Sequence, residues 1–71
     1  MTRIPVASSS ISEVGHDSTT NTLEVKFANG GIYRYDGVTA DHYDALLKAP
    51  SLGRHFQQHI RGANFKHTRI A

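Results

Sequence analysis

The stretch that most limits the possible folds is Thr22–Asp36. From Thr22 to Ala28 the side chains alternate, with Leu23, Val25 and Phe27 on one side and Thr22, Glu24 and Lys26 on the other. A period of two is the mark of a half-buried strand. Asn29-Gly30-Gly31 then reads as a hairpin loop, since Asn and Gly tolerate positive φ, and Ile32–Asp36 returns as a second strand. Loop parity decides which side chains turn inward. A three-residue loop pairs Ala28 with Ile32, Phe27 with Tyr33 and Val25 with Tyr35, and sends both tyrosines to the inner face. A two-residue loop would bury Arg34 instead, which costs more than burying two amphipathic rings. The odd loop is therefore expected, although its register sets Lys26 opposite Arg34 and Glu24 opposite Asp36.

The flanking segments complete an α+β reading. Residues 1–10 are Ser-rich and contain Pro5, which predicts an extended or frayed leader, with residues 1–7 the least ordered and a possible sheet edge. Ile11–His16 is a further strand candidate with imperfect alternation, and Gly15 is the expected bulge. Asp17–Asn21 reads as a turn. Gly37 ends the hairpin, Thr39 is a good N-cap, and Asp41 lies in the first turn of a helix over about Ala40–Lys48. Val38 and Tyr43 have the spacing of a hydrophobic staple, with Tyr43, Leu46 and Leu47 as the inner face. Pro50 drives Ala49 out of helical geometry. Ser51 can cap a second helix that ends at Gly62 as the residue after its C-cap. Leu52, Phe56 and Ile60 fall on one face of that helix, and Arg54, Gln58 and Arg61 on the other. Phe65–Ile70 is a basic tail or a short final strand. The expected domain, spanning 1–71, is a small antiparallel sheet of about three strands packed on two C-terminal helices.

Size and composition bound the rest. A 71-residue chain makes one domain. It buries only about 60% of its unfolded surface, so a stability of roughly 3–5 kcal/mol is expected. With no cysteine, disulfides and thiolate metal sites are excluded. No apolar run matches a signal peptide or a membrane span, which predicts a soluble, cytoplasmic protein without a membrane partner. The net charge is only +2, but all six acids lie in residues 1–44, while residues 45–71 hold Lys48, Arg54, Arg61, Lys66 and Arg69 and no acid. That asymmetry points to an anionic partner.

Catalytic and metal chemistry are poorly supported. Ser8, Ser9 and Ser10 are not part of a Gly-x-Ser-x-Gly elbow, and serines near a terminus are commonly just flexible. His55 and His59 stand at i, i+4, but Gln57 and Gln58 replace the glutamate of a zinc-protease helix, and no third ligand is marked out. On this reading His55 faces solvent and His59 the core boundary. A non-enzymatic protein with no cofactor and no metal is expected. Backbone N–H groups at Ser51 and Gly53, beside Arg54, offer a place for one phosphate or carboxylate. Tyr33 and Tyr35 flank Arg34 and could stack bases from an open sheet face, but parity favours them as core.

These residues resemble the KTSC domain, a small module named for its occurrence at the C-terminus of some lysyl-tRNA synthetases and found also as free-standing bacterial or phage proteins. The resemblance is carried by Ser8-Ser9-x-Ile11, Leu23-x-Val25-x-Phe27, Gly31-x-Tyr33-x-Tyr35, Val38, Tyr43-x-x-Leu46-Leu47-x-Ala49-Pro50-Ser51-x-Gly53 and Phe56-x-x-x-Ile60-Arg61-Gly62. The chain departs from the pattern at His16, where Tyr is usual, at Thr39, where Pro often follows the Val, and at Ala63-Asn64-Phe65, where a Tyr-Pro pair is common. Through the synthetase context the resemblance implies RNA binding. The expected function is a binding module for RNA or another polyanion, with Arg54, Arg61, Lys48 and Lys66 on phosphates and Arg34, Gln58 and the Ser51–Gly53 turn as additions. The alternatives are a protein-interaction module acting on a host protein, as in a phage or mobile-element accessory protein, and a homo-oligomer that binds a small anionic nucleotide.

Overall fold

The computed structural model of the chain describes residues 2–71; of the expected leader, Met1 lies outside the described residues. The strands are β1 (Ile4–Pro5), β2 (Ile11–Asp17), β3 (Thr22–Phe27), β4 (Ile32–Asp36) and β5 (His67–Arg69). They form one antiparallel five-stranded sheet in the order β1-β2-β3-β4-β5. The sheet thus has two strands beyond the three expected: the leader supplies one edge and the basic tail the other. The helices are α1 (Ala40–Lys48) and α2 (Leu52–Phe56), the latter continuing into a π-helical segment at Gln57–Arg61. They lie between β4 and β5 in the chain rather than at its C-terminus.

The hairpin keeps the expected parity with a different register. Phe27 N–H donates to Gly31 O at 2.8 Å, so the three-residue loop is Ala28–Gly30, with Gly30 alone among the loop glycines at positive φ, +94°. Val25 now pairs with Tyr33 and Leu23 with Tyr35. Both rings face inward as expected. The shift also removes the like-charge objection, because Glu24 comes opposite Arg34 and Lys26 opposite Ile32.

On β2 the bulge lies between Ile11 and Glu13, not at Gly15. One extra residue at Ser12 turns both Ile11 and Val14 into the core, which explains the imperfect alternation. Gly15 has another role. A Cβ there would stand 2.7 Å from Thr2 O and 3.2 Å from Arg3 Cα, so its missing side chain lets the leader cross the outer face of the sheet. Arg3 then bonds Glu13 at 3.0 Å and also Glu24, and Arg34 Nε donates to Glu24 at 3.1 Å. Glu24 is only 4% exposed, and a carboxylate so placed needs these partners.

The inner face carries the core: Ile11, Val14, Leu23, Val25, Tyr35 and Val38 against Leu46, Leu52, Phe56 and Ile60. Phe56, with no exposed surface, meets Tyr35 edge-to-face at 5.4 Å and Phe27 at 5.6 Å. Thr39 Oγ1 accepts from His42 N and Ser51 Oγ from Arg54 N, so both expected caps form. Leu47, expected inside, is 37% exposed at the rim of α1. Gly62 has φ −70°, so it is not a left-handed helix stop; that conformation falls to Asn64 at φ +59°, which turns the chain toward β5.

Candidate functional site

The exposed face of α2 and its π-helical continuation opens onto two clefts. The first, about 550 Å³, runs between the leader and the start of α2, with Ser8, Ser10, Gly53, Arg54 and Gln57 among its walls. The serines are not loose. Ser8 Oγ accepts from the N–H groups of Ser10 and Ile11, each at 3.3 Å. A Cβ on Gly53 would lie 2.8 Å from Ser10 Oγ and 3.2 Å from Ser8 Oγ. Only glycine leaves room there for the two hydroxyls, so two distant pieces of sequence meet at one wall.

The second cleft, about 510 Å³, lies between the π-helical segment, the β3–β4 hairpin and β5. Phe27, Tyr33, Tyr35 and His67 supply rings, and Gln57 and Arg61 the helical wall. Ser10 and Gln57 border both clefts, which joins them into one groove. A further hollow of about 340 Å³ places Arg61 with Lys66, His67 and Phe65.

The rings of the second cleft are held by packing. Tyr33 meets the Phe27 ring edge-on at 5.5 Å. His67 stacks on Tyr35 at 5.3 Å with 27° between planes, and Tyr35 is itself fixed against Phe56. The Arg69 guanidinium carbon is 5.9 Å from the Tyr33 ring centroid, within cation–π range. Burial pushes the Tyr35 phenol up, and the positive Arg61 pulls it partly back.

The residues expected to bind anions divide into two groups. Arg54, Gln58 and Arg61 are all exposed along the helix, and Lys66 joins Arg61. Among the described residues Arg54, Arg61 and Lys66 enter no ion pair. Arg34 is elsewhere, on the outer sheet face against Glu24, and Lys48 is held by Asp44 at 2.8 Å. Ser51 spends its hydroxyl on its cap and its carbonyl on His55 N–H, and Gly53 is packed by the serines. The sequence reading missed Ser8, Ser10, Gln57, His67 and Arg69. The Tyr-x-Tyr pattern of β4 with a basic segment after the helices was the available signal for the last two, had that segment been laid beside Tyr33–Tyr35.

The histidines are also arranged differently from expectation. His55 is half-buried and His59 exposed, with ring centroids 4.3 Å apart. Among the described residues no three His, Asp or Glu side chains gather as a metal site. His16, on the inner face opposite Leu23, stacks on Tyr43 at 5.1 Å and shares a 2.6 Å hydrogen bond with Val38 O. Its ring therefore fills the place where the family pattern has Tyr. No helix of the described residues is long and apolar enough to cross a membrane.

Comparison with known proteins is consistent with this architecture. An uncharacterized protein of Stutzerimonas stutzeri is 41% identical over 70 residues, covering 99% of both chains. A lysine–tRNA ligase of Trichormus variabilis is 36% identical over 61 residues, which is 86% of this chain but 11% of that protein; the chain thus spans about a tenth of the ligase. The crystal structure of a KTSC domain protein from Yersinia pestis superposes with a TM-score of 0.93 at 36% identity, over 99% of this chain and 97% of that one. The KTSC domain family model matches residues 7–65, from the serine loop through the π-helical segment. With its motif residues meeting at the walls of the groove, the chain belongs to the KTSC domain family.

Proposed function

We infer that this KTSC domain is a non-enzymatic binding module for RNA, or for a polyanion of similar charge, and that the groove along α2 is its contact surface. The observation that carries this reading is the row Arg54, Arg61 and Lys66, without an ion pair among the described residues, in a half of the chain without an acid. Guanidinium and ammonium groups that are not neutralised by the protein are available to phosphates. Gln58 beside Arg54 adds an amide to the same row. The relatives named as lysine–tRNA ligases lend support, since their name places them on tRNA. Arg34 and Lys48 are assigned no part, because each already has a carboxylate partner.

The test is binding of a short RNA at low salt by the parent and by an Arg54→Ala/Arg61→Ala double variant. Losing two of three phosphate contacts should weaken binding at least tenfold without unfolding the domain, since both side chains are exposed. A double variant that binds as well as the parent would refute the assignment.

A further inference from the structure

We propose that the aromatic cleft between β4, β5 and the π-helical segment seats one unpaired nucleobase against Tyr33 and His67, with its phosphate on Arg61. This rests on the RNA reading and names the part of RNA that the groove takes. A cleft of about 510 Å³ falls in the size range of small-ligand sites. Its rings are fixed before any ligand arrives: Tyr33 by the edge of Phe27, and His67 by the plane of Tyr35. Fixed rings lose little freedom on stacking, and every base offers a π face to them. Two amides complete the chemistry. Asn29 uses its Oδ1 on Gly31 N–H at 2.9 Å, which leaves its NH₂ as a donor. The Gln57 side chain, on the opposite wall, has no hydrogen-bond partner among the described residues. Such groups suit the hydrogen-bonding edge of a base, which a duplex hides and a single strand shows.

The charges continue the path. Arg61 borders both the ring cleft and the hollow that holds Lys66. Arg54 stands seven residues earlier in the helix, on the order of 10 Å along its axis. At about 3.4 Å rise per nucleotide, that spans roughly three steps of a stacked strand. A single strand can therefore place one base beside Tyr33, a phosphate on Arg61, and its next phosphates along Gln57 and Gln58 toward Arg54. A simple polyanion site would need the cations alone and would have no use for the rings and amides.

The experiment measures fluorescence anisotropy with a labelled RNA hexamer without secondary structure and with a duplex of equal charge. It uses the parent, Tyr33→Leu and Arg54→Ala/Arg61→Ala. The parent should bind the hexamer at least tenfold tighter than the duplex. Tyr33→Leu should lose roughly tenfold on the hexamer while keeping the parent's salt dependence. Should Tyr33→Leu fail to fold, tyrosine emission of the parent decides instead, since the chain has three tyrosines and no tryptophan. Emission should be quenched by saturating hexamer and unchanged by inorganic tripolyphosphate. Equal binding of hexamer and duplex, full hexamer binding by folded Tyr33→Leu, or unquenched emission at saturation would overturn the base cleft while leaving the polyanion reading intact. Failure of the parent to bind either RNA at low salt would overturn both.

Discussion

At the scale of single residues, several side chains are explained by what crosses next to them. Gly15 lies under the leader, where a methyl group would meet the Thr2 carbonyl at 2.7 Å. Gly15→Ala should therefore cost about 1–3 kcal/mol through overpacking, read as a lower urea midpoint. A change below about 0.5 kcal/mol would mean that the leader is free to lift away. His55 makes a different prediction. Partial burial first, and the neighbouring His59 second, hold its pKa below the ordinary histidine value. The folded chain then takes up this proton less readily than the unfolded chain. The contribution to stability is full above the unfolded value, near 6.5, and is lost as pH falls through the lower folded one. Urea midpoints should drop from pH 7.5 to pH 5, and His55→Gln should make that drop smaller. An identical drop in the variant would show that the pair is not coupled to folding.

At the scale of elements, the β3–β4 hairpin and the two helices were legible because their side-chain periods agree with their turn and cap residues. Leu23, Val25 and Phe27 settle which face is inside, and Thr39 and Ser51 settle where helices begin. The register was not legible, since shifting the loop by one position leaves the same rings inward; only the cross-strand charges of Glu24 and Arg34 separate the two arrangements. The π-helical segment was also hidden. Gly62 N–H donates to Gln57 O at 3.0 Å, an i→i+5 bond, yet the spacing of Leu52, Phe56 and Ile60 fits a regular helix equally well. Edge strands β1 and β5 are short and exposed, and they form because β2 and β4 offer them unpaired backbone. The turn into β5 depends on Asn64. A left-handed conformation costs most side chains about 1–2 kcal/mol. Asn64→Ala should lower stability by about 1 kcal/mol while Asn64→Gly leaves it nearly unchanged, checked by chemical denaturation. Equal effects of both substitutions would place the turn's control elsewhere.

At the scale of the molecule, an uneven charge distribution along the chain becomes an uneven distribution in space. Glu13 and Glu24 are matched by Arg3 and Arg34 on the outer sheet face, and Asp44 by Lys48 on α1. The acids in these pairs are satisfied by cations away from the groove, which leaves Arg54, Arg61 and Lys66 unbalanced along it. The sequence disclosed this row because acids vanish after Asp44. It did not disclose the ring cleft beside it, because Tyr33, Gln57 and His67 are far apart in the chain and come together only when β5 pairs with β4. Engagement of phosphates by this row makes binding sensitive to salt. The most direct measurement is RNA affinity against salt from 50 to 200 mM. Three contacts at about −0.7 each predict a log–log slope near −2 and a loss of roughly twentyfold over that range. A flat dependence, with affinity unchanged across the range, would contradict it.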